Sequence, residues 1–368
     1  MKTEKVVAFQ AYIPEYRVPL FDSVRRLLAT DRIEFIVAAG RTNRQGRQRG
    51  DTSWISGATP TKGFDLQLPG GSIVTFQSAG RALRGTSMLI LPFAGSALHN
   101  YPLALRYPFL LWGHGPDNYV GQQRRLDTAL EGWLLKKSRG FLAYTPRGAN
   151  AVVSAGMPPS LVHTLFNTID TREFVRARNR LGSQSVMEFR KKHGLTAHTV
   201  AFIGALDDMK RVDVALRCMD KLRGMHPGIR FIIAGDGPLR SQVEYFAASR
   251  DWCSYIGRAS PADKALLASS IHLLLNPGAV GLIAVDSLMM GTPIATLKGK
   301  HGPEMDYLDD STCLVSIDES QYVADVHDLL LDEGRRLAMA SKCLSESSKF
   351  TIEAMAGRFA DAVRAGLS

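Results

Sequence analysis

Two adjacent cations stand directly before an amphipathic segment in the second half of the chain. Lys210 and Arg211 follow an apolar run, Thr199–Ile203, that ends at Gly204. The run predicts a strand, and the apolar spacing after Arg211 predicts a helix. Positive side chains beside the unpaired N–H groups of a helix start form a site suited to a diphosphate. The spacing therefore predicts a phosphate-binding site where this strand ends.

A second glycine turn follows the next apolar run. Arg230–Ala234 leads into a Gly-Asp-Gly-Pro turn at Gly235 and Gly237, and proline suits the first turn of a helix. Glycines allow a ligand to approach the backbone, although the same pattern is also typical of a plain strand-to-helix turn. A nicotinamide-cofactor fingerprint needs a third small residue, and Arg240 stands there instead.

A third glycine-rich segment follows Leu275. The turn Gly278–Leu282 opens a predicted helix that carries Asp286 about two turns in and ends at Gly291. Turns of this kind bring backbone N–H groups towards an anion. The three segments therefore predict one ligand site at the carboxyl end of a sheet.

Short apolar runs separated by helix-length stretches are typical of parallel α/β sheets, and here they form two series. We expect an α/β chain with a first domain over residues 1–170, a second over 171–350, and a helix over about 351–368 that packs back on the first. The predicted strands are Val6–Ala11, Arg32–Ala38, Met88–Pro92, Phe109–Gly113 and Gly140–Thr145, then Thr199–Ile203, Arg230–Ala234, Cys253–Ile256, Ile271–Leu275, Pro293–Leu297 and Thr312–Ser316.

The composition is that of a folded protein with a basic first half. Of the 368 residues, 45% are apolar and 22% are charged, which excludes wholesale disorder and low-complexity classes. The formal net charge is +10, and residues 1–170 carry 20 basic against 11 acidic side chains, which is +9 of that total. This excess favours an anionic partner such as a phosphate, a nucleic acid or an acidic lipid surface.

Two basic segments leave alternatives open. Residues 41–50 contain four arginines and no acid, which indicates either a solvated loop or a contact with lipid headgroups or an acceptor phosphate. The helix predicted near Pro19 could pack on its sheet or lie at a membrane surface.

Cysteine spacing and hydropathy bear on metal binding, disulfide bonds and membrane insertion. Cys218, Cys253, Cys313 and Cys343 lie 30 or more residues apart, so we expect reduced core thiols and neither a zinc site nor disulfides. No secretory signal is recognisable, and no apolar run approaches the ~20 residues that span a bilayer. We expect a cytoplasmic protein.

In order and spacing, the three glycine segments resemble the donor-binding domain of family-4 retaining glycosyltransferases of the GT-B fold, over most of residues 199–317. The resemblance implies two doubly wound Rossmann-like domains facing a cleft, with a nucleotide-sugar on the second. It implies that Lys210 grips the donor phosphates with Arg211 beside it, and that Asp286 holds the ribose hydroxyls. It implies further donor contacts at Gly204, Gly235, Gly237, Arg258, Gly278, Val280, Gly281 and Leu282.

The first half adds weaker matches to the same family. Tyr16 and Arg17 resemble the entry loop of a bacterial subgroup, which implies acceptor-side contacts. His114 follows a predicted strand where similar enzymes place a catalytic histidine against the donor sugar. By residue type alone a structural hydrogen-bonding role is equally open for His114. Asn167–Asp170 resembles the hinge that closes the first domain.

Two positions depart from the family pattern. Ala205 stands where the family has a phosphate-binding arginine, and Gly278 replaces the first acid of its Glu-x7-Glu pair. The lost arginine removes a contact worth roughly 1.5–3 kcal/mol, for which Arg211 is a candidate replacement. The missing acid would orient the transferred sugar. Either backbone groups hold that sugar, or another carboxylate such as Glu304 assists.

The resemblance implies a retaining hexosyltransferase that moves a sugar from a nucleoside-diphosphate sugar to a hydroxyl of a glycolipid or polysaccharide precursor, such as a lipopolysaccharide intermediate. A catalytically inactive nucleotide-sugar binding protein and a GT-B epimerase stay open as alternatives. The sequence has no metal-binding Asp-x-Asp motif on a suitable loop, so we expect no metal cofactor. We also expect peripheral contact with the inner membrane face and no nucleic-acid partner.

Overall fold

The computed structural model describes residues 3–40, 52–53, 55–67, 73–116 and 125–368. The chain divides into two compact units, Met1–Asp170 with Thr351–Ser368, and Thr171–Phe350. The basic segment 41–50 lies outside the described residues, and so does the contact expected of it.

A parallel sheet with the strand order β11-β10-β9-β8-β1-β3-β5 organises the first unit. Its order reverses between β1 and β8, as in doubly wound folds. The elements are β1 (Glu4–Gln10), β2 (Ile13–Pro14), α1 (Val18–Ala29), β3 (Ile33–Ala39), β4 (Thr52–Ser53), β5 (Thr59–Pro60), β6 (Lys62–Gln67), β7 (Ile73–Ser78), β8 (Met88–Pro92), α2 (Asn100–Arg106), β9 (Phe109–Gly113), α3 (Arg125–Lys137), β10 (Phe141–Ala143), α4 (Pro146–Ser154) and β11 (Val162–Thr164).

The second unit is built on a parallel sheet with the order β14-β13-β12-β15-β16-β17. Its switch point lies between β12 and β15. The elements are α5 (Arg172–Arg180), α6 (Ser183–Lys192), β12 (Thr199–Ile203), α7 (Val212–Met225), β13 (Arg230–Ala234), α8 (Arg240–Ala248), β14 (Cys253–Tyr255), α9 (Pro261–Ala268), β15 (Leu273–Leu275), α10 (Ile283–Met290), β16 (Ile294–Leu297), β17 (Cys313–Ser316), α11 (Glu319–Leu331) and α12 (Glu333–Ser347).

The last helix, α13 (Ile352–Leu367), belongs to the first unit. Phe359 is fully buried and stacks edge-on against Trp112, with ring centroids 5.2 Å apart. Arg364 pairs with Asp31 at 2.7 Å. The apolar seam of α13 therefore completes one face of the first sheet.

Helix α1 packs on that same face. Leu20, Phe21, Val24 and Leu28 are buried in the core that α13 shares. The alternative in which this helix packs on its sheet is therefore confirmed, and contact with a membrane surface stays a prediction. Within the described ranges no helix is both long and apolar enough to cross a bilayer.

The strands predicted from sequence are confirmed, four of them to the residue and the others within two residues at either end. The sequence analysis missed the short strands β2, β4, β5 and β11 and the hairpin β6–β7. Each residue of β6 is exposed, so its side chains do not alternate between core and water, which is the signal that identifies a half-buried strand. The four cysteines are free and buried, as expected.

Candidate functional site

Loops after neighbouring strands meet at the carboxyl edge of the second sheet. Strands β12 and β15 lie side by side at the switch point, where open α/β sheets bind ligands. Lys210 closes a 3-10 turn, Asp208–Lys210, that follows β12. The Asp207 carboxylate caps this turn by accepting from Lys210 N at 2.9 Å. A local cap therefore fixes where the lysine side chain starts.

The Lys210 ammonium reaches across to the loop after β15. Its Nζ donates to the Ala279 carbonyl oxygen at 2.5 Å. Burial lowers the pKa of Lys210, and the negative charges of Asp207 and Glu304 oppose that shift. A half-buried ammonium in this setting suits an anion, because charges interact more strongly where water is partly excluded.

Gly278 is required by close packing of the main chain. A Cβ on this residue would stand 2.3 Å from the carbonyl carbon of Lys210 and 2.4 Å from the Met209 oxygen. Ala279 N donates to that same oxygen at 2.9 Å. The glycine turn and the lysine turn are thus joined backbone to backbone.

His301 holds the next residue of the turn. Val280 N donates to His301 Nδ1 at 3.2 Å, and the other ring nitrogen, Nε2, lies 3.0 Å from Leu297 O. Burial lowers the pKa of His301, and the Lys210 charge lowers it further. The ring accepts the Val280 N–H in this structure, and the predicted donor contact of Val280 stays a prediction. Gly281 and Leu282 remain at the start of α10, where N–H groups have no acceptor within the helix.

The Gly-Asp-Gly turn packs against the loop after β12. A Cβ on Gly235 would stand 1.9 Å from Gly204 O, and one on Gly237 would stand 2.6 Å from Leu206 O. Leu206 N donates to Asp236 O at 3.0 Å. The structure therefore explains these two glycines by packing between the loops, and their predicted contacts with a donor stay predictions.

Arg211 is directed to different partners from Lys210. It adopts a left-handed conformation, with φ of 50°, at the start of α7. Its Nη2 lies 3.2 Å from Glu319 Oε1, and Arg217 Nη2 lies 3.1 Å from the same oxygen. The role of Arg211 on a diphosphate stays a prediction, and it would compete with this ion pair.

Asp286 has a cationic partner that the sequence did not indicate. Lys264 Nζ, on α9, lies 2.7 Å and 2.8 Å from the two carboxylate oxygens. Helix α10 begins at Ile283, so Asp286 lies in its first turn and not two turns in. Arg258 is exposed beyond the end of β14.

In the first unit, Arg17 lies among aromatic rings. It is 7% exposed, with its Cζ 4.6 Å from the Trp112 ring centroid and 4.9 Å from that of Tyr144. It donates to Tyr144 Oη at 2.6 Å and to Tyr16 Oη at 3.0 Å. This burial leaves Arg17 little exposed surface, while Tyr16 is half-buried, and the acceptor-side contacts expected of both residues stay predictions.

His114 lies next to this group, just after β9. Its ring centroid is 4.4 Å from that of Tyr144. The residue still reaches solvent, but crowding by surrounding protein lowers its pKa to about 4, with a further contribution from the Arg17 charge. A neutral imidazole donates from one nitrogen and accepts at the other, which suits contact with a sugar hydroxyl.

Sequence reasoning missed Lys264, His301 and Glu319 as parts of the site. Lys264 and Glu319 lie on helices distant in sequence from their partners, so no local pattern indicates them. His301 follows a strand end and precedes a Gly-Pro pair, which is a weak signal. Among the residues the structure describes, no three His, Cys, Asp or Glu side chains gather as a metal site requires.

Comparison with known sequences finds a family match within the second unit. Residues 185–343 match the family described as glycosyl transferases group 1. Over 240 residues the chain is 23% identical to a D-inositol 3-phosphate glycosyltransferase of Corynebacterium kroppenstedtii, covering 59% of this chain and 52% of that protein. It is 24% identical over 183 residues to a 2-deoxystreptamine glucosyltransferase of Streptomyces kanamyceticus, covering 47% and 46%. The chain thus spans about half the length of these curated relatives.

Solved structures match along nearly the whole chain. The HepE protein of Anabaena, in complex with UDP, matches with a TM-score of 0.67 at 13% identity, covering 98% of this chain and 99% of that one. Sucrose-phosphate synthase of Thermosynechococcus elongatus matches with a TM-score of 0.64 at 12% identity, covering 98% of each. At these identities the likeness shows the fold alone. The predicted GT-B fold is confirmed.

Proposed function

We propose that this chain, whose residues 185–343 match the glycosyl transferases group 1 family, is a retaining glycosyltransferase. It moves a hexose-type sugar from a nucleoside-diphosphate sugar to a hydroxyl of a glycolipid or polysaccharide precursor. The observation that carries the proposal is the Lys210 ammonium, held at the switch point beside the glycine turn. Two curated relatives are named as a glycosyltransferase and a glucosyltransferase, and a neighbour of the same fold was solved with UDP.

The chemistry asked of this site is stabilisation of a leaving diphosphate. Negative charge grows on that group as its bond to the sugar breaks, so fixed cations and N–H dipoles aimed at it lower the barrier. Lys210 supplies a charge, and the two residues directly before α10, Gly281 and Leu282, supply N–H groups. We propose that this set replaces a divalent ion, so turnover survives chelation by EDTA. An absolute requirement for Mg²⁺ or Mn²⁺ would contradict this part.

Substitution of Lys210 tests the proposal directly. Lys210→Ala should lower the rate of sugar transfer or donor hydrolysis by about 10²–10³-fold, the usual effect of removing one group that stabilises a transition-state charge. The rate is measured across UDP-, GDP- and ADP-sugars, and circular dichroism checks the fold. Lys221→Ala, which removes an exposed lysine from α7, is the matched control and should keep the wild-type rate. Equal rates in both variants would reject the proposed site.

Nucleotide binding separates the alternatives. A transferase should be stabilised against heat by UDP, GDP or ADP, because a ligand that binds only the folded state raises its stability. Stabilisation without turnover of any donor would favour the inactive binding protein. Conversion of a UDP-sugar to its epimer without an acceptor would favour the epimerase.

We also propose that the acceptor meets the basic first half, at an anionic membrane surface. The support is the +9 net charge of residues 1–170, because each basic residue near an anionic leaflet contributes roughly 1 kcal/mol. Sedimentation with phosphatidylglycerol vesicles should carry the protein down at low salt and release it at high salt. Protein that stays in the supernatant throughout would contradict peripheral binding.

A further inference from the structure

Glu304 places a buried carboxylate against the glycine turn of the candidate donor site. It lies in the 3-10 turn Pro303–Tyr307 and is 5% exposed. A Cβ on Gly302 would stand 3.1 Å from Glu304 Oε2, and one on Gly281 would stand 3.8 Å from the same oxygen. Two residues without side chains therefore leave this carboxylate directly beside the main chain of the turn.

A carboxylate cannot reach this turn from Gly278. The main chain of Met209 and Lys210 fills the space that a side chain at 278 would need, at 2.3 Å and 2.4 Å from its Cβ. Gly302 N also donates to Val280 O at 2.6 Å, which ties the segment before Glu304 to the turn. The buried carboxylate beside the glycine turn therefore comes from the segment after β16.

The charge of Glu304 acts on the phosphate-binding lysine. It raises the pKa of Lys210 against the larger lowering effect of burial. A fixed negative charge here opposes a bare diphosphate, because like charges repel strongly where water is excluded. It favours a group with hydroxyl hydrogens, because hydrogen bonds to a carboxylate are roughly twice as strong as those between neutral groups.

We infer that Glu304 is the specificity-determining residue for the transferred sugar, accepting hydrogen bonds from its hydroxyls beside the Lys210 ammonium. This inference rests on the proposed function and adds the class of donor. The sugar is neutral and carries free hydroxyls. A uronic acid is disfavoured, because its carboxylate would meet the buried charge of Glu304.

The test compares sugar-bearing and bare nucleotides in two charge-matched variants. Glu304→Gln keeps the size of the side chain and removes its charge. Asp310→Asn removes one charge from an exposed residue of the same segment. Calorimetry gives Kd values for UDP-, GDP- and ADP-glucose and for UDP, GDP and ADP, and UDP-glucuronate is the anionic comparison. The measured quantity, for each base, is the affinity for the nucleotide-glucose divided by the affinity for the bare nucleoside diphosphate.

The Glu304→Gln variant should bind the nucleotide-glucose that the wild type prefers about 10- to 100-fold more weakly. This is the effect expected for loss of a hydrogen bond to a charged group. Affinity for the bare diphosphate should stay equal or rise, and discrimination against UDP-glucuronate should weaken. Asp310→Asn should leave each ratio unchanged. A merely structural role of Glu304 would not produce this selectivity, because its loss would weaken the binding of both ligands together.

An unchanged ratio in Glu304→Gln, or an equal loss for both ligands, would overturn the inference while the wild type still binds nucleotides. If the wild type binds none of the six probes, the proposed function fails, and the inference with it. Should Glu304→Gln melt well below the wild type, Glu304→Asp decides. It keeps the charge on a shorter side chain, so the ratio should fall without a gain in affinity for the bare diphosphate.

Discussion

The carboxyl edges of the two sheets hold a cation in different ways. In the first unit Arg17 stacks among aromatic rings, and its described hydrogen bonds go to two phenol oxygens. In the second unit Lys210 donates to a main-chain carbonyl and lies in the field of two carboxylates, Asp207 and Glu304. Both edges belong to doubly wound parallel sheets, so the fold itself does not set this difference.

The difference indicates different uses for the two charges. A planar guanidinium stacks on aromatic faces, which stabilise it without cancelling its charge. The field of Arg17 therefore still acts on His114. The Lys210 ammonium is a compact charge on a flexible stem, which can leave the carbonyl of Ala279 for a ligand oxygen. The charge of Arg17 therefore adds to the larger effect of burial on the pKa of His114, whereas the proposed role of Lys210 is to bind a ligand.

The largest effect on stability should come from adding a side chain at Gly278, where the glycine turn packs against the main chain of Lys210. Gly278→Ala should lower the free energy of unfolding by about 3 kcal/mol, because the new Cβ meets main-chain atoms that cannot swing aside. A shift of about 2–4 °C in melting temperature per kcal/mol is expected for a unit of this size. Differential scanning calorimetry measures it.

Gly299→Ala is the control for that substitution. A Cβ on Gly299 meets nothing within 4 Å, so its melting temperature should stay near the wild-type value. Gly278→Glu, which introduces the acid that the resembled family carries at this position, should destabilise at least as much as Gly278→Ala. A stable Gly278→Glu variant would refute the packing explanation.

A moderate effect should appear at the Arg17 edge. Arg17→Met removes the charge and keeps an apolar stem that can pack against the rings, so the pKa of His114 should rise from about 4. A nearby cation disfavours the protonated ring, so its removal favours protonation, by about one unit. Histidine Cε1–H resonances followed by NMR between pH 3 and 8 measure this pKa. Arg17→Lys keeps the charge and should leave it low. A wild-type His114 that titrates in its ordinary range would contradict the comparison.

The smallest effect should come from the exposed cations of the second unit. Arg217 pairs with Asp213 and Glu319, and its side chain is 51% exposed. Arg217→Ala should cost at most about 1 kcal/mol of stability, because exposed ion pairs are screened by water and salt. Urea unfolding at low and high salt measures this cost, and the difference should shrink in high salt. A loss of several kcal/mol would show that this pair organises the start of α7.

Much of the fold could be predicted because its signals are local. Strands buried on both faces require continuous apolar runs such as Phe231–Ala234. The turns after them require glycine or a capping acid, as at Gly204 and Asp207. The hairpin β6–β7 was missed because its first strand is exposed along its length.

The candidate site could be predicted only in part. Lys210 and the glycine turn lie at ends of neighbouring parallel strands, so their meeting follows from the order of the elements. Lys264 lies 22 residues from Asp286 on another helix, and nothing in either segment indicates the pair.

By itself, the sequence determined the two series of strands, the helices between them, and the cation and glycines placed where strands end. Backbone conformation and burial respond to the residues nearest in the chain, which explains this success. The tertiary structure alone decided that Arg17 is buried among rings, that Asp286 faces Lys264, and that Gly278 has no room for a side chain while the Glu304 carboxylate lies beside Gly281 and Gly302. Those outcomes depend on distances of a few ångströms between segments far apart in sequence, and such distances are set only when whole elements pack.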